Sequence, residues 1–142
     1  MMTVEEAITG RRSIRAFLPK PVPRALIERI LRIAGRAPSG SNVQPWRVWV
    51  LDGAVRDEIA SDLAGRYDRN EVSPREYNYY PEKWREPYLA RRRACGWGLY
   101  GTLGIGRADK DKMHAQHRRN YVFFDAPVGL IFTIDRDLEQ GS

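Results

Sequence analysis

Three arginines and a serine fall within the seven residues "RRSIRAF", positions 11 to 17. If this segment is extended, Arg11, Ser13 and Arg15 project to one face while Arg12 and Ile14 take the other. Two guanidiniums flanking a hydroxyl can clamp a phosphate through charge-assisted hydrogen bonds, or one can hold the phosphate while the other faces a second electron-rich group. A solvated basic turn is the plain alternative, since the stretch lacks the glycine spacing of a phosphate loop. A second polar set follows in "PSGSNVQPW", where Ser39, Ser41, Asn42 and Gln44 supply donors and acceptors on one loop. Asn42 and Gln44 suit the edge of a planar ring on which carbonyl and NH groups alternate; equally, they can satisfy the backbone groups of their own turn.

The elements that must position these groups are legible from periodicity. Thr3 and Glu6 have capping-box spacing, and Val4, Ala7 and Ile8 give a short helix an apolar side that Gly10 ends. Residues 11 to 18 read as an extended connection, and Pro19, Pro21 and Pro23 keep the chain extended beyond it. From Pro23, the residues Leu26, Ile27, Ile30, Ile33, Ala34 and Ala37 mark one broad helical face, and Gly35 and Pro38 stop the helix. "WRVWVL" reads as a strand with apolar residues on both faces, the pattern of a strand covered on two sides.

A helix is expected from about Ala54 to Ala64, then an aromatic-rich excursion over residues 66 to 88, then a helix from about Leu89 to Leu103. Gly96, Gly98 and Gly101 weaken that last helix and allow another backbone to approach closely. Asp109 is placed to cap a polar helix reaching about Asn120, and "PVGLIFTI" from Pro127 reads as a buried strand. Two strands are fewer than a sheet of ordinary size, so the fold requires completion from elsewhere.

The totals bound the possibilities. The 142 residues suit a single domain, with 42% apolar and 30% charged residues. Lysine plus arginine number 24 against 18 acidic residues, and the resulting +6 attracts polyanions without saying which. Cys95 is the only cysteine, which excludes an intrachain disulfide and a thiolate metal cluster, and a packed thiol is the preferred reading. No signal-like apolar run opens the chain and no stretch approaches membrane-spanning length, so a soluble cytoplasmic protein is expected, with no membrane partner.

The run from "RRSIRAF" through the proline-flanked segment and amphipathic helix to "APSGSNVQPW" resembles the opening half of the flavin-dependent nitroreductase family. "PEKWREPYLARRRACGWGLYGTLGI" and "HRRNYVFFDAPVGLIFTIDRDLEQGS" are similar to a nitrobenzoate-reductase-like branch, so the resemblance covers nearly the whole chain. It implies an α+β, nitroreductase-like fold of three layers around a central, mostly antiparallel sheet. It also implies a homodimer with FMN at the subunit interface, NADH or NADPH as electron donor, and a small nitroaromatic or quinone-like acceptor.

By motif, the resemblance puts Arg11 and Ser13 on the FMN phosphate, Arg12 in support of that end, and Arg15 near N1 and the C2 carbonyl of the isoalloxazine. Pro38, Ser39, Gly40 and Ser41 line the cofactor pocket, partly from the opposite subunit, and Asn42 and Gln44 orient around it. Reduction places negative charge around N1 and the C2 carbonyl, so a fixed cation at Arg15 favours the reduced flavin. The family's second half supplies a long interface helix, further strands and additional phosphate contacts. The chain is therefore expected to be an N-terminal portion of such a domain, its remainder absent or held on a separate fragment. A related flavin enzyme acting as a dehalogenase or ring dehydrogenase, and a truncated interaction domain without catalysis, are the alternatives.

Other candidates carry less. Arg91, Arg92 and Arg93 spread around a helix rather than focusing on one contact, which argues against nucleic acid and for a solvated or dimer-facing helix. His114 and His117, with Asp111, have metal-ligand spacing in a polar segment that reads better as a surface helix. Tyr77, Tyr79, Tyr80, Trp84 and Tyr88 can stack on an aromatic acceptor whose carboxylate Arg75 or Arg85 receives, or they form a satellite aromatic core.

Overall fold

The computed structural model describes residues 2–71, 74 and 78–138, so Arg75 and Tyr77 lie outside the described residues. Two compact units are present, Met1–Ser61 with Val122–Ser142, and Asp62–Tyr121.

In the first unit, α1 (Val4–Gly10) opens on the expected capping box: Glu6 N donates to Thr3 Oγ1 at 3.1 Å and Thr3 N donates to Glu6 Oε2 at 2.6 Å. Residues 11 to 23 form no regular element, as their prolines require. The helix α2 (Arg24–Ala34) ends where Gly35 N donates to Leu31 O at 2.8 Å. A short 3-10 turn at Gly40–Asn42 leads to β1 (Arg47–Asp52). This strand pairs antiparallel with β2 (Val128–Thr133), with Arg47 opposite Thr133 and Leu51 opposite Gly129. Across the ribbon, Arg47 Nη2 reaches Asp135 Oδ2 at 2.9 Å and Trp49 Nε1 donates to Thr133 Oγ1 at 3.2 Å.

A 3-10 stretch, Arg119–Asp125, delivers the chain to β2 with Phe123, Phe124 and Asp125 in the left-handed region. That conformation is unusual for bulky side chains. It sets the Phe123 ring over Gly129, where an added Cβ would lie 2.8 Å from the ring. The glycine is what lets the aromatic ring close on the strand.

The boundary between the units falls inside α3 (Gly53–Asp68). The second unit then contains α4 (Tyr88–Thr102) and α5 (Lys110–Arg118). At the start of α5, Asp109 Oδ2 accepts from Gly106 N at 2.8 Å instead of capping the helix through its side chain.

Little of the chain is buried. The buried apolar residues among those described are Ile27, Leu51, Ala60 and Ala64. The total accessible surface is 12281 Å², whereas a folded monomer of 16.4 kDa exposes roughly 7,500 Å². The expectation that β1 is covered on both faces is overturned within this chain, since Trp49 is 58% exposed and Val50 is also exposed. On the face carrying Val48 and Val50, α2 meets the sheet across cavities of about 200 and 330 Å³ whose walls include Leu31, and Trp49 projects to the opposite face. Among the described residues nothing outside the helix's own backbone lies within 4 Å of a Cβ built at Gly96, Gly98 or Gly101, so the close approach these glycines allow is not used there. Cys95, expected to be packed, is exposed on the same helix.

Candidate functional site

The arginine segment is held by its own short-range bonds. Arg11 Nη1 donates to Ser13 Oγ at 3.1 Å and Arg15 Nη1 donates to Ser13 O at 3.2 Å. Arg12 Nη1 turns back to Thr9 O and Arg11 O at 3.1 and 3.0 Å. All four residues are exposed, and among the described residues no carboxylate pairs with any of the three guanidiniums. A run of cations with no carboxylate partner among the described residues, two of them bonded to Ser13, has the donor chemistry that a phosphate monoester requires.

The loop from Pro38 to Gln44 is built around Ser39, which is half-buried. Ser39 Oγ accepts from Gln44 N at 2.9 Å, and Ser39 O accepts from Asn42 N at 3.0 Å. Closing the loop this tightly forces Ser41, Asn42 and Gln44 to φ values of 49°, 56° and 50°. Asparagine tolerates that region; serine and glutamine have no preference for it. Such conformations gather at ligand clamps, where local strain presents backbone and side chains in one orientation. Ser39 thus does the backbone work that was one of two readings for the loop. The side chains of Ser41, Asn42 and Gln44 have no hydrogen-bond partner among the described residues and face solvent. Pro38 and Gly40 are exposed beside them. The arginine segment and this loop lie in the same compact unit, and the hydrogen bonds of each close within it rather than linking the two.

In the second unit, Tyr79 meets Tyr80 edge-on at 4.8 Å, Tyr80 lies 5.9 Å from Trp84, and the Arg92 guanidinium sits 5.0 Å over the Trp84 ring. Arg91 approaches Tyr88 at 6.0 Å, so two of the three consecutive arginines of α4 are engaged by aromatic rings.

Sequence reasoning missed one cluster. Asp68, at the end of α3, accepts from Arg118 Nε at 2.8 Å and lies 3.1 Å from His114 Nε2. The Arg118 and His114 hydrogen bonds hold its carboxyl below the ordinary carboxylate value. Beside it Tyr67 stacks on His114 and Tyr121 with centroids 4.6 and 4.7 Å apart, and desolvation, followed by the neighbouring Tyr121, pushes its phenol up. The signal was present: His114, His117 and Tyr121 recur at helical spacing, and all three rings approach Tyr67. His114, in the segment read as a surface helix rather than a metal site, is bonded to the Asp68 carboxylate, and among the described residues no group of three or more metal-ligating side chains forms.

A family model described as "Nitroreductase family" matches residues 8–141. A 4-nitrobenzoate reductase of Nocardioides sp. (strain LMS-CY) is 45% identical over 133 residues, which cover 92% of this chain and 54% of that protein. A nitrobenzene nitroreductase of Ectopseudomonas oleovorans is 41% identical over 140 residues, covering 98% and 62%. Among solved structures, the FMN and NADPH-dependent nitroreductase NfnB from sphigopyxis sp. strain HMH matches with a TM-score of 0.87 at 40% identity, over 98% of this chain and 63% of that one. The chain therefore spans between about half and two thirds of the length of these relatives. The shared fold is α+β, an antiparallel sheet flanked by helices in the three-layer arrangement.

Proposed function

The chain belongs to the nitroreductase family, and from that membership we propose that it is the N-terminal portion of an FMN-dependent oxidoreductase that spends NADH or NADPH to reduce nitroaromatic or quinone-like acceptors. The supporting observation is the run of three guanidiniums, those of Arg11 and Arg15 bonded to Ser13 and that of Arg12 turned back to Thr9 O and Arg11 O, with no carboxylate partner among the described residues. A protein surface that carries +6 overall and leaves such a set unpaired is complementary to a dianionic phosphate.

In this reading Arg11 and Ser13 donate to the FMN phosphate and Arg12 stiffens the segment through its bonds to Thr9 O and Arg11 O. Arg15 places a permanent positive charge beside the N1 and C2 carbonyl edge, where negative charge grows on reduction. The strained loop of Pro38, Ser39, Gly40 and Ser41 walls the pocket, and Asn42 and Gln44 offer free amides to the ring edge. Bound FMN supplies the two-electron chemistry, so the chain itself needs no acid, nucleophile or metal. Assembly as a cytoplasmic homodimer with the flavin at the interface accords with the apolar faces left uncovered on β1 and β2, and among the described residues no helix is long and apolar enough to cross a membrane.

Reconstitution of the full chain with FMN tests the reading. After removal of free cofactor the protein should be yellow, and NAD(P)H should bleach it until a nitroaromatic restores the colour. A colourless protein after reconstitution counts against flavin use.

A further inference from the structure

The helix α2 covers only part of the broad apolar face that its sequence lays out. Ile27 is buried and Leu31 half-buried on the side toward the sheet, where both line the cavity shared with Val50. Leu26, Ile30 and Ile33 are 43%, 51% and 62% exposed. Their spacing of four and then three residues sets them in one ridge along the helix, roughly 110° round from Ile27 and Leu31.

A stripe of charge runs beside this ridge, on the side away from the sheet. Arg29, Arg32 and Arg36 fall there at intervals of three and four, the last in the turn that Arg36 N closes on Ile33 O at 3.1 Å. All three are exposed, and among the described residues none of their guanidiniums makes a hydrogen bond or an ion pair. Arg24 of the same helix is the contrast, since its Nε donates to Glu28 Oε1 at 2.6 Å.

The four-then-three spacing is the a and d repeat of paired helices, and it puts Arg29 and Arg36 at flanking g positions. Unneutralised cations along such a seam select a partner by charge, drawing carboxylates and repelling lysine or arginine. The arrangement fits a helix better than a lipid surface. A helix lying in a membrane spreads its cations over the whole polar side, whereas these stand along one edge and Glu28 holds the side opposite the ridge.

We propose that the outward ridge of α2 docks an acidic amphipathic helix of another protein: Leu26, Ile30 and Ile33 take its apolar seam, and Arg29, Arg32 and Arg36 face its carboxylates. The surface uses neither the arginine segment around Ser13 nor the loop of residues 38 to 44, so it stands or falls apart from the flavin reading.

The experiment is a fluorescence anisotropy titration of the full chain into a labelled amphipathic peptide with leucine at a and d and glutamate at e and g, beside the same peptide with lysine in place of glutamate. The glutamate peptide should bind about tenfold more tightly, the combined scale of a few exposed ion pairs, and raising the salt should shrink that preference. Replacing Arg29, Arg32 and Arg36 together by glutamine should bring the two peptides to equal affinity. Leu26→Ser with Ile30→Ser should weaken the glutamate peptide by about tenfold through the lost apolar burial. The salt series uses the native chain, so the test does not depend on a variant folding. Equal affinities in the native chain, a glutamate preference that survives salt or the arginine replacement, or a serine variant that binds as the native chain does overturns the proposal. Two other occupants overturn it as well. Binding to phosphatidylserine vesicles that the arginine replacement abolishes would make the ridge a lipid surface, and a sedimentation mass that falls in the serine variant would make it a contact between copies of this chain.

Discussion

Asp68 accepts a hydrogen bond from Arg118 Nε at 2.8 Å and stands 3.1 Å from His114 Nε2, so a single carboxylate at the end of α3 ties down two residues of α5. Its pKa is depressed in the folded chain, chiefly by the Arg118 and His114 hydrogen bonds. A depressed carboxylate stabilises the fold above its unfolded pKa, and that contribution is lost as pH falls through the lower, folded value. Asp68→Asn should therefore lower the urea midpoint near neutral pH, and the gap to the native protein should close below about pH 4. A gap that persists unchanged into acid would remove the carboxylate from the stability of this unit.

Ser13→Ala should weaken FMN binding by about 1 to 2 kcal/mol, the worth of one hydroxyl contact to a charged group. Arg15→Ala should lower the reduction potential of the bound flavin as well as the affinity, because the lost cation favours the reduced ring. Flavin fluorescence titration and a spectroelectrochemical potential measure the two effects. Equal FMN affinities would take Ser13 out of the site, and an unmoved potential would take Arg15 away from the ring.

Gly129→Ala should cost roughly 1 to 3 kcal/mol, the usual range for overpacking a closed contact, because the new Cβ would sit 2.8 Å from Cε1 of Phe123. Trimming the ring with Phe123→Leu in the same chain should recover part of the loss. Denaturant midpoints of the two single variants and the double variant decide it; strict additivity would mean the two positions do not touch.

Ser41 at φ 49° has no steric reason to stay there. Ser41→Val should lower stability by about 1 to 2 kcal/mol, since a β-branched residue fits that region worst, while Ser41→Gly should hold or raise it. Thermal midpoints of the pair check the sign. Equal midpoints would mean that the loop relaxes out of the left-handed region.

Most elements were legible because their cues are local. The Thr3 and Glu6 box, the proline boundary before α2 and the alternation of Trp46, Val48 and Val50 each act within a few residues. The helix α4 forms despite its glycines, since their cost is small against a complete hydrogen-bonded turn. What escaped was of two kinds. Contacts between distant positions, such as Asp68 with Arg118, leave no periodic trace. Environment escaped as well: Cys95 and Trp49 are apolar by type but exposed, and type alone does not say which surfaces find a neighbour. The arginine segment is expected to be an extended connection, and residues 11 to 18 form no regular element; the left-handed positions at Ser41, Asn42 and Gln44 are not foreseen, because only asparagine among the three advertises them.

The ribbon of β1 and β2 has one unpaired edge on each strand among the described residues, and Trp49, Ile131 and Phe132 stand open to water along it. A short pair of strands with exposed apolar side chains and an unpaired edge on each strand is a template for growth by addition of like strands. Concentrated on its own, the chain should scatter light and deposit fibres. Whatever lies along that ribbon in the cell serves as its chaperone as much as its neighbour.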